Sequence, residues 1–190
     1  MSSPENFRQI EKLSSAQNPD QSVKIFLAGK SHTPFESSSG ENIQKPEHSL
    51  SQEEKDKIKA ETDWSDEIVN AISSMEEYEI YKNAGLIEAE INGKKCLIKA
   101  DLDMNQVDDA GRTNKERMEM GLAPIDKSGE TIELHHIGQK SDGPLAELTT
   151  SEHRSKGNDT VLHDKSKESE IDRVAFTKER NAHWEERATA

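Results

Sequence analysis

The chain has 190 residues, 38 acidic against 25 basic, for a formal net charge of −13 with neutral histidines. With 31% hydrophobic, 4% aromatic and 33% charged residues, it holds too little apolar material for a core along its whole length, so it reads as one domain with a solvated tail. No stretch reaches the roughly 18–20 consecutive apolar residues of a membrane span, the single Cys96 excludes a disulfide framework or a cysteine-based zinc cluster, and the acid excess argues against a non-specific polyanion binder.

Residues 1–61 are rich in Ser, Gln, Asn, Glu, Lys and Pro, with one apolar cluster at Val23-Lys24-Ile25-Phe26-Leu27. This segment reads as a low-complexity, mostly disordered linker or tail with one short helix at residues 53–60. His32 and His48 fall in it and receive no role. The pattern tightens at Thr62, where Thr62-Asp63-Trp64-Ser65-Asp66-Glu67 supplies capping residues and first-turn acids. Ile68, Ala71, Ile72 and Met75 follow at helical spacing, and a second helical run carries Tyr78 and Tyr81 before Gly85. Trp64, Tyr78 and Tyr81 are predicted core residues, and Cys96 a buried small hydrophobe.

Leu86-Ile87-Glu88-Ala89-Glu90-Ile91, Asn92-Gly93 and Lys94-Lys95-Cys96-Leu97-Ile98 spell a hairpin with a type I′ turn, because both turn residues tolerate positive φ. A polar helix follows at residues 113–120, closed by Gly121 and Pro124. Thr131-Ile132-Glu133-Leu134-His135-His136-Ile137 reads as a strand, residues 138–144 as a loop, and Leu145-Ala146-Glu147-Leu148 as a second strand. Thr149-Thr150-Ser151-Glu152 then caps a short helix through His153. In the last helix, Ile171, Val174, Ala175, Lys178, Ala182 and Glu185 or Glu186 form the predicted stripe, with Phe176 and Trp184 available to pack on the domain.

Of seven histidines, His135, His136, His153 and His163 fall in one short window. Neighbouring strand residues point to opposite faces, so one imidazole of the His135-His136 pair can hold a metal while the other handles a proton. The hairpin and helix that follow return His153 and His163 toward that pair. His183, in a charged terminal helix, is predicted to be structural or on the surface.

Glu133-Leu134-His135-His136, followed by Ile137-Gly138-Gln139, resembles the LHH group of the HNH/endonuclease VII nucleases, the ββα-metal or His-Me finger enzymes found as toxin domains in bacterial polymorphic toxins. Leu148-Thr149-Thr150-Ser151-Glu152-His153 resembles the second strand and start of the metal-binding helix in these enzymes and in colicin-type DNases. The resemblance implies an α+β fold: a ββα-metal core at about residues 130–165, with flanking helices, inside a nuclease toxin domain at residues 62–190. It implies His135, His153 and His163 as ligands of a divalent ion (Zn, Mg, Mn or Ni) and His136 as general base on water. Glu133 would organise the site through an arginine, assigned to Arg112; Arg154 and Lys156 would contact phosphate; Asn158 would brace the loop. His153 and His163 are ten residues apart, whereas the colicin-type pair is one helical turn apart. Either His163 comes from a following turn, or the ion has two protein histidines plus water.

The implied substrate is DNA, or alternatively RNA. The implied partners are a cognate immunity protein and a larger delivery or secretion component, and the implied place of action is the cytoplasm of a target bacterium. Two other readings stand beside it: a non-catalytic zinc-holding module that binds nucleic acid or protein, and a metal-independent RNase toxin using the histidine pair. From Asp101 onward there are 13 basic against 20 acidic residues, a net of −7, so phosphate capture must depend on a bound ion and a few local cations.

Overall fold

The computed structural model describes residues 49–166 and 168–189; the 23–27 cluster, His32 and His48 lie outside the described residues. The first helix, α1 (Gln52–Thr62), begins with a capping box in which Ser51 accepts from the Glu54 amide and the Glu54 carboxylate accepts from the Ser51 amide at 2.8 Å. Leu50 and Ile58 of this segment are buried in the core, so the packed body begins at Leu50, ahead of the boundary expected at Thr62.

The helical spacing across residues 68–75 is broken in two. α2 (Asp66–Ala71) ends before a short bend, and Ser74 caps α3 (Met75–Asn83) by accepting from the Glu77 amide. Glu77 is buried at 1% exposure and accepts from both the amide and the hydroxyl of Ser73, which fixes the bend.

The hairpin forms as predicted, from β1 (Leu86–Ile91) and β2 (Lys94–Lys99), with Asn92 at φ 52° and Gly93 at φ 72°. Next come α4 (Asn114–Glu119), β3 (Ile132–His136), a 3₁₀ turn at Ile137–Gln139, and β4 (Leu145–Thr149). α5 (Thr150–Arg154), α6 (Asn158–Leu162) and α7 (Arg173–Arg187) complete the described elements. Thr113–Glu116 and Thr149–Glu152 repeat the capping box of α1, so three helix starts are written locally.

The four strands form one sheet in the order β1-β2-β4-β3. β1 and β2 are antiparallel, β2 and β4 parallel, and β3 and β4 antiparallel, with His135 opposite Ala146 and His136 opposite Leu145. Each sheet face carries its own core. Leu97, Ala146 and Leu148 pack with Trp64, Tyr78 and Tyr81 on one side; Cys96, Ile98, Ile132 and Leu145 pack with Met118 and Trp184 on the other. The fold is therefore α+β, with a β3–β4–α5 hairpin-and-helix unit set into a larger sheet.

The stripe predicted for the last helix is not the one that packs. α7 buries His183 and Trp184, half-buries Phe176, and leaves Val174 70% exposed. The two aromatic rings offer far more apolar area than Ala175 and Ala182, and they set the rotation of the helix.

Burial and a 2.6 Å hydrogen bond to Glu61 push the Tyr78 hydroxyl up to about 12, and burial beside Glu77 raises that of Tyr81. A raised folded pKa contributes stability that is whole below the ordinary tyrosine value near ~10 and is lost as pH climbs through the folded value. The melting temperature is expected to fall between about pH 10 and 12, with a flatter decline in Tyr78→Phe. An equal slope in the two proteins would remove Tyr78 from the explanation.

Candidate metal centre

β3 delivers its side chains alternately. Glu133 and His135 face the side of the sheet that carries α3 and α6, whereas His136 faces α7. His135 lies 6.5 Å from the Tyr81 ring, 5.1 Å from the His153 ring and 5.2 Å from the His163 ring, and the last two are 4.9 Å apart. One donor nitrogen from each of the three imidazoles lies within 4.8 Å of the others. His135 and His153 are buried, while the His163 side chain is 34% exposed, so the cluster opens toward solvent on that side.

The chain folds this way for local reasons. Gly138, at φ 66°, turns the backbone after β3 where a Cβ would meet the Ala71 carbonyl oxygen at 2.3 Å. Its amide donates to Glu77 Oε1 at 2.9 Å, beside the Tyr81 hydroxyl at 2.7 Å. α5 begins directly at the end of β4 and carries His153 in its last turn. Asn158 Nδ2 donates to the Glu152 carbonyl at 2.8 Å, across the break between α5 and α6. His163 caps the end of α6, in the turn that follows α5, and its ring lies beside those of His135 and His153.

Outer partners fix the tautomers. His153 Nδ1 lies 2.7 Å from Glu133 Oε2 and donates to that carboxylate, which leaves Nε2 as a lone pair. His163 Nδ1 lies 3.1 Å from both the Asp159 carbonyl and its Oδ1, which leaves its Nε2 in the same condition. His135 Nδ1 sits 3.2 Å from His153 Nε2, and His135 Nε2 is buried without a partner. Burial, reinforced by the neighbouring imidazoles, pushes His135 well below the ordinary histidine value; burial also lowers His153, against the pull of Glu133. Burial raises the Glu133 carboxyl, but Arg154 and His153 outweigh it and hold the group below its usual range. Three imidazoles, one with an orphaned buried nitrogen and two backed by oxygen acceptors, form a donor set suited to a divalent cation.

Arg112 does not reach Glu133. Its guanidinium contacts Asp108 at 2.8 and 3.0 Å, and the Arg112 amide and guanidinium together with Arg117 hold Asp108 well below the usual carboxylate range. The arginine on Glu133 is Arg154, whose Nε lies 2.8 and 3.0 Å from the two carboxylate oxygens. The assignment of Arg112 is thereby corrected: the Asp108 loop captures it locally, while α5 places Arg154 directly after His153. Lys156 is exposed between α5 and α6.

Residues 113–190 match the family described as LHH, a nuclease of the HNH/ENDO VII superfamily with conserved LHH, here Leu134-His135-His136. The match supports an LHH-type HNH nuclease domain in this part of the chain. No solved structure matches the chain.

Sequence reasoning missed several residues around the nuclease motif. Asp159 backs His163 at the i,i+4 spacing of a helical pair, a signal visible in the sequence. Glu179 meets His136, with Oε2 3.0 Å from Nε2, and its Oε1 pairs with Lys94; the Phe176 ring lies 4.6 Å from the His136 ring. Burial lowers the His136 pKa and Glu179 opposes that shift. His183, predicted as structural or superficial, is buried at 3% with Nε2 2.9 Å from Glu147 Oε1.

Proposed function

We propose that this nuclease domain is a metal-dependent endonuclease that hydrolyses DNA phosphodiester bonds. The observation that carries the reading is the three-histidine cluster, with its tautomers set by Glu133 and Asp159, on the strand that also presents His136. His135, His153 and His163 would hold the cation. When bound, a divalent ion supplies Lewis-acid stabilisation of the charge that develops on the phosphoryl and leaving 3′ oxygens. His136 takes the proton of the attacking water as the new P–O bond forms and the bond to the 3′ oxygen breaks. Arg154, already bound to Glu133, has a 63% exposed side chain and together with Lys156 offers cationic contacts to the backbone phosphates.

Three observations shape the rest of the reading. A structural zinc site uses four protein ligands, whereas the cluster found among the described residues has three, which favours an open coordination position. The net charge of −13 makes the cation the chief local attraction for phosphate, and cleavage should weaken as salt rises. No helix among the described residues is long and apolar enough to cross a membrane. In this reading a larger delivery component carries the domain into a target bacterium. There it acts in the cytoplasm, and a cognate immunity protein restrains it in the producer.

Plasmid nicking by the purified chain with Mg²⁺, Mn²⁺, Ni²⁺ or Zn²⁺, with and without EDTA, tests the proposal. Cleavage is expected with at least one ion, none is expected in EDTA, and His136→Ala is expected to lose about 100-fold or more. Equal cleavage by His136→Ala would remove it as the base. RNA cleavage that survives EDTA would replace this reading with the metal-independent RNase.

A further inference from the structure

We propose that Glu179 is a positioning residue for His136, and that it makes Nδ1 the nitrogen that accepts the proton. The inference rests on the reading of His136 as general base and adds to it a residue from the last helix. Glu179 Oε2 lies 3.0 Å from His136 Nε2, while Oε1 is occupied by the Lys94 ammonium from β2. An ionised carboxylate only accepts hydrogen bonds, so Nε2 must carry the hydrogen of the neutral imidazole. The lone pair then sits on Nδ1. Phe176, one turn before Glu179 on the same face of α7, contacts the His136 ring and restrains its plane.

The placement of Glu179 is itself well supported. Asn92 Nδ2 donates to the Ala182 carbonyl at 2.9 Å and ties α7 to the turn between β1 and β2. Farther along, His183 meets Glu147 at 2.9 Å, and Arg187 Nη2 donates to the Lys99 carbonyl at 2.7 Å. With Trp184 fully buried between these anchors, α7 has little freedom to rotate or slide. A carboxylate on such an element can hold an imidazole within the narrow angular range that proton transfer needs.

Glu179→Gln distinguishes positioning from mere packing, because it keeps the shape and removes one acceptor. Lys94 then claims the single oxygen, and the amide nitrogen faces His136 as a donor. In the metal-loaded full chain, kcat for plasmid cleavage is expected to fall about 10- to 100-fold with KM unchanged. Glu179→Ala is expected to behave alike. Ring-nitrogen chemical shifts of the Zn²⁺-loaded chain supply a readout that does not need turnover: His136 should be Nε2-protonated in the wild type and lose that preference in Glu179→Gln. Retention of full kcat by Glu179→Gln, or an Nδ1-protonated His136 in the wild type, would overturn the proposal. If the wild type cuts no nucleic acid, the base role of His136 fails, and the nitrogen shifts still decide what Glu179 does.

Discussion

His135→Ala is expected to lose metal affinity by more than the outer-partner variant Glu133→Ala, for which about a 10- to 100-fold loss is expected. The order follows from the geometry. His135 is 4% exposed, and its ring stands 5.1 and 5.2 Å from the other two, so no exposed neighbour can take its place without rebuilding the core around Tyr81. Glu133 acts one bond farther out, by holding the hydrogen of His153 on Nδ1 at 2.7 Å. Competition for Zn²⁺ against a chromophoric chelator measures both. The same ion should raise the melting temperature of the wild type, since a ligand at about 100 times its Kd adds about 2.7 kcal/mol to the folded state. Unchanged Zn²⁺ affinity in His135→Ala would end the ligand assignment.

The largest loss of stability is expected from Glu147→Ala. Glu147 is fully buried on β4, and its carboxylate accepts from the Lys99 amide at 2.9 Å, His183 Nε2 at 2.9 Å and Arg187 Nε at 3.1 Å. Removing it leaves a guanidinium and a buried imidazole without their shared acceptor. Deleting one partner of a buried ion pair typically costs about 3–5 kcal/mol. Urea denaturation at neutral pH should show a loss of that size, and Glu147→Gln a smaller one. A loss under about 1 kcal/mol in Glu147→Ala would mean that water takes the place of the carboxylate. Because α7 is anchored through this network, Glu147→Ala should also loosen Glu179 from His136, and nuclease activity should fall with stability.

Much of the site was legible in the sequence because its rules are local. Thr149 and Glu152 announce the start of α5, Gly138 marks the turn after β3, and strand alternation separates His135 from His136. The chain itself places His153 at the end of α5 and His163 at the end of α6, each a few residues from a capping or turn signal. The family match from Thr113 onward covers these residues. The segment before it is less visible as part of the site. Yet α3 supplies Glu77 and Tyr81 behind the Gly138 turn, and β2 supplies Lys94.

The sequence by itself determined the α+β alternation, the Asn92-Gly93 hairpin, the capped helix starts and the histidines that converge, because periodicity, capping and turn chemistry act within a few residues. Tertiary structure decided which face of α7 packs, that Arg154 and not Arg112 serves Glu133, and that Glu179 reaches His136. These outcomes depend on pairs far apart in the chain: 43 residues separate His136 from Glu179, and 88 separate Lys99 from Arg187. Such pairs form only once β2 lies parallel to β4 and Trp184 is buried against the sheet. Apolar burial and sheet order select among many equally charged helix faces, and a sequence this rich in acids offers several faces that look alike.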